Sequence, residues 1–444
     1  MKKITLSWRL VAALVLTVIS CSVFAGKFKH QPPGNPLVFV HGGAGSASQF
    51  ESQAMRFTSN GYPQDYLHAF EYDSSFTIES VSDVVSRLGV FIDNVLAETG
   101  EDQVDLMGHS LGTFISQNFL AIPGNADAIA HYINIDGFPA SSLPGGVPTT
   151  ALWAGIGQGG FVVGANNITI EDQTHVETAT SAESFFHMFE FFTGRQPHTI
   201  DIRPSIRRLI TIAGKASLFP SNVGADGGVL EIYRLDGATG QRVRKWPFAR
   251  ITIDETGNWG PVKVWRGQHY EFVLVRPGQE HHLYKEPFLR DDHFVRLLTS
   301  PVGGGVGANV DTAITQTNLI IARDRELIGE REFDNDLLVV NGQNVINEGN
   351  SSLANRTTGI YLFDAGLDTD SDLDAPLPFF HALPFLTGND LFLPASNDAS
   401  GRTRITLIGR GENGDIQQLN IPDWPSDVHR ITVQFNDFVQ GDSL

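Results

Sequence analysis

The chain has 444 residues, including 45 Gly and 22 Pro, with 41% apolar and 18% charged residues and a formal net charge of −19. That length carries two or three domains with cores of their own and excludes a minimal scaffold. So acidic a balance opposes a phosphate backbone or an anionic membrane as partner, and no nucleic acid is expected.

Residues 1–25 read as an export signal. Lys2, Lys3 and Arg9 form a basic start, residues 11–19 a short apolar core, and Val23-Phe24-Ala25 a small-residue cleavage site. The apolar run is too short to cross a bilayer, so no transmembrane span is expected. The only cysteine, Cys21, closes Val18-Ile19-Ser20-Cys21, which also fits a bacterial lipoprotein signal. Two destinations therefore stay open: secreted or periplasmic after cleavage behind Ala25, or held at the outer membrane by a lipid anchor on Cys21. Cleavage after Ala25 would leave no thiol and no disulfide.

Residues 36–40 (PLVFV) read as a strand ending in His41-Gly42-Gly43, and 48–59 as a helix stopped by Asn60-Gly61. Residues 65–72 alternate as a second strand. In the next helix Ile78, Val81, Val84, Val85, Leu88, Phe91, Ile92, Val95 and Leu96 recur at three and four, and Gly100 ends it. A strand at 104–107 precedes a helix over 111–121. A turn at 127–130 leads into a strand at 131–135. Strands at 150–154 and 167–170 follow, then a helix over 181–193, with Thr180 and Glu183 spaced as a capping box and Gly194 as the stop. Strands alternating with helices build a parallel sheet.

Beyond residue 204 the helical period disappears. Apolar runs at 209–213, 229–233, 270–275, 319–322, 337–340, 360–363, 405–408 and 431–435 are separated by Gly, Asp, Asn and Pro clusters. This predicts an all-β region of two sandwich-like modules. The plan is a signal over 1–25, an α/β catalytic domain over 26–203, and β modules over 204–301 and 302–444, joined at the glycine-rich residues 302–306.

Gly108-His109-Ser110-Leu111-Gly112 fits the G-x-S-x-G elbow of the α/β-hydrolase fold, a sharp strand-to-helix turn that exposes the serine hydroxyl. A serine needs a base to take its proton and a carboxylate to hold that base. His175 follows the last predicted strand of the sheet and is the expected base. His131 and His187 read as structural, and His41 and His109 as partners of the glycine motifs. The loop over 155–167 contains no Asp or Glu, so the acid falls on Asp136 one strand earlier, with Glu171 or Asp172 as the alternative. Gly43, in His41-Gly42-Gly43-Ala44-Gly45, and Leu111 would supply the oxyanion-hole amides. No phosphate loop is read there, because the Lys-Ser/Thr of a P-loop is missing.

These stretches, PLVFVHGGAGSASQFESQAMRFTSNGYP, FEYD, VDLMGHSLGTF, INIDG and THVET followed by FEFFTGRQP, together resemble the archaeal-type two-domain lipases over about residues 36–200. The resemblance implies an α/β-hydrolase domain followed by a β-rich one, with the nucleophile on Ser110, the acid on Asp136, the base on His175 and the oxyanion donors on Gly43 and Leu111. It implies hydrolysis of carboxylic esters, acylglycerols included, without a cofactor. One departure stands out: residues 74–77 alone occupy the place of the family's helical lid. Cover for an acyl chain then falls to the β region or to residues 154–163.

Other signals are weaker. Asp368, Asp370, Asp372 and Asp374 alternate, but Leu373 and Phe379 stand where a Ca²⁺ loop wants Gly and Glu, so a solvated loop is expected. His281-His282 and Asp291-Asp292-His293 lack a supporting Cys or spaced pair, and no metal is expected. Phe185, Phe186, Phe189, Phe191 and Phe192 read as core packing. The sequence thus predicts an exported serine ester hydrolase of lipase type. A carboxylesterase or polyester depolymerase is the enzymatic alternative, and an inactive surface-binding protein the alternative outside enzymes.

Overall fold

The computed structural model describes residues 32–438 except 158, 330–334, 352, 397 and 411–414; the export-signal stretch and Cys21 lie outside the described residues. Six strands, β1 (Leu37–Val40), β2 (Leu67–Phe70), β3 (Val104–His109), β4 (Ile129–Ile135), β5 (Thr149–Ile156) and β6 (Asn166–Thr174), form one sheet. Its order is β2-β1-β3-β4-β5-β6 and every pairing is parallel. Five helices accompany it: α1 (Glu51–Ser59), α2 (Val81–Thr99), α3 (Leu111–Leu120), α4 (Glu177–Thr180) and α5 (Ala182–Thr193).

Alternation along β1 explains the layering. Leu37 and Phe39 face one core with Phe57 of α1 and with Phe185, Met188, Phe189 and Phe192 of α5. Val38 and Val40 face the other, with Val84, Leu88 and Ile92 of α2 and Ile115 and Phe119 of α3. A sheet covered on both faces needs near-continuous apolar strands, as β1 has. α2 begins with Ser80, whose hydroxyl accepts from the Asp83 amide while the Asp83 carboxylate accepts from the Ser80 amide, and it ends at left-handed Gly100. α5 is capped one residue later than its sequence suggests: Ser181, not Thr180, accepts from the Ser184 amide.

Sixteen strands follow: β7 (Leu209–Leu218), β8 (Val223–Gly224), β9 (Val229–Leu235), β10 (Ala249–Thr252), β11 (Asn258–Trp265), β12 (His269–Arg276), β13 (Gln279–Lys285) and β14 (Asp292–Thr299), then β15 (Leu319–Ala322), β16 (Leu337–Val340), β17 (Gln343–Asn344), β18 (Gly359–Phe363), β19 (Leu386–Asp390), β20 (Thr403–Ile408), β21 (Ile416–Ile421) and β22 (His429–Gln434). They form sheets ordered β11-β7-β14, with β8 on β7, and β17-β16-β20-β21, together with an eight-stranded sheet, β10-β9-β12-β13-β22-β15-β18-β19. The eight-stranded sheet runs through both predicted β modules, because β22 pairs in parallel with β13 on one side and β15 on the other. Phe294 of β14 packs edge-on against Phe39 at 5.8 Å, so the β region and the parallel sheet share a core. No helix among the described residues is long and apolar enough to cross a membrane.

Candidate active site

The carboxyl ends of β1, β3, β4 and β6 converge, which is where an open parallel sheet places its chemistry. Ser110 follows β3 at φ 52° and ψ −121°, left-handed backbone on a residue with a side chain. The glycines around it are demanded by close approach. A Cβ on Gly112 would collide with the carbonyl oxygens of Val40 and His41, and one on Gly108 would come within 2.7 Å of the Gly112 oxygen. The elbow therefore lies flat against β1, and Ser110 is pushed outward.

Ser110, His175 and Asp136 stand together. Ser110 Oγ lies 2.9 Å from His175 Nε2, and His175 Nδ1 lies 2.6 Å from Asp136 Oδ2. Asp136 is fully buried and His175 nearly so. The other Asp136 oxygen accepts from the amides of Ala154 at 3.1 Å and Gly159 at 3.3 Å, so the stretch after β5 steadies the carboxylate. Glu171 and Asp172, the alternative acids, are exposed within β6, which continues past its predicted end. A hydroxyl bonded to an imidazole whose far nitrogen is fixed by a buried carboxylate can give up its proton while attacking a carbonyl carbon.

The remaining histidines separate by their partners. His109 donates from Nε2 to the His175 carbonyl at 2.9 Å and accepts at Nδ1 from Gln49 at 2.9 Å, a neutral tautomer. Burial drives its pKa down to about 3, with the His175 ring adding to the effect. His41 donates from Nδ1 to the Gly42 carbonyl and accepts at Nε2 from the Tyr72 amide and Asn222; burial lowers it to about 4. His131 pairs with buried Asp105 at 2.8 Å. A Cβ on Gly43 would meet Leu111 Cδ2 at 3.9 Å, so the two residues stand close together beside Ser110.

Above Ser110 lies a small cavity of about 60 Å³, lined by Gly43, Gln49, Ser110 and His175 from the parallel-sheet region and by Asp324 and Phe385 from the β region. Phe385 stacks on the His175 ring at 6.3 Å and 13°. Residues 74–77 are tied to Asp73, whose carboxylate accepts from the amides of Ser75, Thr77 and Ile78. A second cavity of about 150 Å³ shares Ala44, Asp324 and Phe385 with the first and extends to Leu283, Leu297 and Ile320 of the β region.

Sequence reasoning missed the residues that hold the His175 loop. Glu326 accepts from Thr174 Oγ1 at 2.6 Å and from the amides of Val176 at 2.7 Å and Glu177 at 3.1 Å. Arg410 donates to the Glu326 carbonyl and pairs with Glu177 at 2.6 Å, while Arg325 pairs with Glu177 at 2.5 Å. Burial alone would raise the Glu177 carboxyl, but Arg325 and Arg410 bring it down to about 2. No local motif marks these residues, because their partners lie about 150 positions or more away in sequence.

Of the five phenylalanines read as core packing, Phe185, Phe189 and Phe192 are buried beneath the sheet, while Phe186 and Phe191 are half-buried against it. The carboxylates of Asp368 and Asp372 accept from amides two residues on, at 3.0 and 2.9 Å, as in a solvated turn.

A parallel sheet with helices on both faces, carrying its serine on a strand-to-helix elbow, defines an α/β hydrolase. Three family models match in chain order: class 2 lipases over residues 34–127, a lipase C-terminal domain over 208–302, and a further C-terminal domain over 305–439. A class 2 lipase match followed by a lipase C-terminal domain match is an order consistent with a two-domain lipase family. Among solved structures it is similar to a Bacillus licheniformis lipase in its propeptide form, at 12% identity and TM-score 0.28, covering 88% of this chain and 93% of that one. It is also similar to Aspergillus fumigatus lipase B (14%, TM-score 0.29, 38% and 55%) and to a CIB-like hydrolase of Thermoplasma acidophilum (16%, TM-score 0.29, 36% and 87%).

Proposed function

We propose that this hydrolase is an exported carboxylic-ester hydrolase, a lipase acting on acylglycerols or related esters through an acyl-enzyme on Ser110. The observation that carries the reading is the relay from Ser110 Oγ through both nitrogens of His175 to Asp136, at 2.9 and 2.6 Å. In it, Ser110 Oγ bonds to the ester carbonyl carbon while His175 Nε2 takes the hydroxyl proton, and Asp136 stabilises the resulting imidazolium. The amides of Gly43 and Leu111 receive the developing oxyanion. His175 then protonates the departing alcohol, and a water, deprotonated in turn by His175, releases the acid and restores the serine.

A fatty acyl substrate is supported by the cavity beside the site, whose lining includes Leu283, Leu297 and Ile320. With residues 74–77 tied down at Asp73, we infer a site roofed by the β region and not by a helical lid, and hence little activation at a lipid–water interface. A fluorophosphonate probe should label the protein stoichiometrically and fail to label Ser110→Ala. Absence of labelling in the folded wild type would remove the acyl-enzyme. Hydrolysis confined to short, soluble esters across a chain-length series would replace the lipase with a carboxylesterase. N-terminal mass measurement on the exported protein separates cleavage behind Ala25 from acylation of Cys21.

A further inference from the structure

β13 and β22 lie side by side, with Glu280 in register with His429 and His282 two residues further along the same face of β13. Three ligand atoms meet there. His282 Nε2 is 2.9 Å from His429 Nδ1, and Glu280 Oε2 is 3.8 Å from the first and 3.7 Å from the second. An ion at the usual zinc bond length of about 2.0–2.1 Å from each of these atoms fits within a triangle of such edges. We propose that Glu280, His282 and His429 form a binding site for a divalent ion of the zinc class, which ties β22 to β13.

The groups behind the triangle favour this reading. His282 donates from Nδ1 to Glu271 Oε1 at 2.7 Å, both side chains being fully buried, so Nε2 turns its lone pair toward His429. Glu271 is itself held by Arg242 at 2.6 Å and by the Tyr284 hydroxyl at 2.8 Å, to which the Trp424 indole donates at 2.9 Å. Trp424 stacks on the His282 ring at 4.3 Å and leans on His429 at 4.8 Å, so neither imidazole is free to turn. Burial falls away in one direction: His282 is inaccessible, the His429 side chain 19% exposed and that of Glu280 39%. An ion can enter from that side, and water can add a fourth ligand as the exposed Glu280 and His429 side chains adjust around it.

Two imidazoles and one carboxylate select a borderline ion over Ca²⁺ or Mg²⁺, which want oxygen donors throughout. Adjacent His281 plays no part, since its two nitrogens face Thr299 and Thr432. The competing arrangement is a metal-free hydrogen bond in which His429 Nδ1–H donates to His282 Nε2. Ion binding would displace that proton, leaving neutral His429 protonated on Nε2.

The experiment uses the full tag-free chain, stripped with chelator and titrated calorimetrically with Zn²⁺, then with Co²⁺ while tryptophan emission and visible absorption are followed. The expected result is one ion per chain, a higher Tm with Zn²⁺, visible Co²⁺ bands of a four-coordinate site, and quenching that is lost in Trp424→Phe. Glu280→Gln and His429→Ala, both at the exposed side of the site, should each weaken binding about tenfold or more. Failure of wild type to bind one ion saturably would overturn the proposal in favour of the metal-free hydrogen bond. Unchanged affinity in both folded variants would do so too, placing the ion elsewhere.

Discussion

Ser110 is a residue whose backbone state and whose placement beside His175 have one cause. Its φ of 52° persists because β1 presses on the elbow through Gly112 and because the Ser110 amide is held by the Ile135 carbonyl at 2.9 Å. Gly112→Ala therefore forces backbone against backbone. It should cost about 1–3 kcal/mol or more of stability, read as a lowered Tm, and a tolerated alanine would show that β1 can retreat. Asp136→Asn keeps the shape of the relay but favours the wrong tautomer of His175. A fall in kcat of about 10⁴-fold is expected with little change in Tm. The elbow is legible because its glycines are sequence neighbours. Asp136 is legible by elimination, since residues 155–167 offer no carboxylate. The Asp136–Gly159 contact is not, because nothing local announces which amide will face an acid at the end of the neighbouring strand.

The loop from β6 into α4 lacks a long helix of its own to hold it, and Glu326 supplies what its sequence does not. Removing that carboxylate leaves the amides of Val176 and Glu177 without this acceptor and the Thr174 hydroxyl with Glu177 alone, at 3.1 Å. Glu326→Ala should lower kcat about tenfold or more with KM nearly unchanged, and Glu326→Gln, which keeps one acceptor oxygen, should recover part of it. An equal loss in both variants, or a loss confined to KM, would mean that Glu326 does not position His175. Strand recognition fails in the β region for a related reason. β13 reads QEHHLYK, with no apolar alternation, yet His281, His282, Tyr284 and Lys285 are all buried. Their polar atoms are satisfied by residues of other elements, Glu51, Glu271, Thr299 and Thr432 among them, so hydropathy, which treats polar as exposed, misses the element.

Across the molecule, acids are buried where α1 and the segment before it meet the β region. Ser48 donates to Asp324 at 3.1 Å and Ser52 to Asp437 at 3.0 Å. Burial, reinforced by Glu51, raises Asp324 to about 6; burial, reinforced by Asp324, raises Asp437 to about 7. In the unfolded chain such groups titrate near 4, roughly. The folded protein thus holds these protons more tightly. The stability they contribute is complete below about pH 4 and is lost as pH rises through about 6 to 7. Asp437→Asn should therefore reduce the drop in Tm between pH 5 and pH 8, measured by calorimetry at matched ionic strength. An identical drop in wild type and variant would show that Asp437 is already ionised at the lower pH.

β22 lies between β13 and β15, pairing with both through residues reached only after 143 intervening positions from Lys285 to His429. A chain delivered from its N-terminus first must wait with two open strand borders until this wedge arrives. Truncation before β22 would leave both of those edges without their partner, exposed to pairing with other chains.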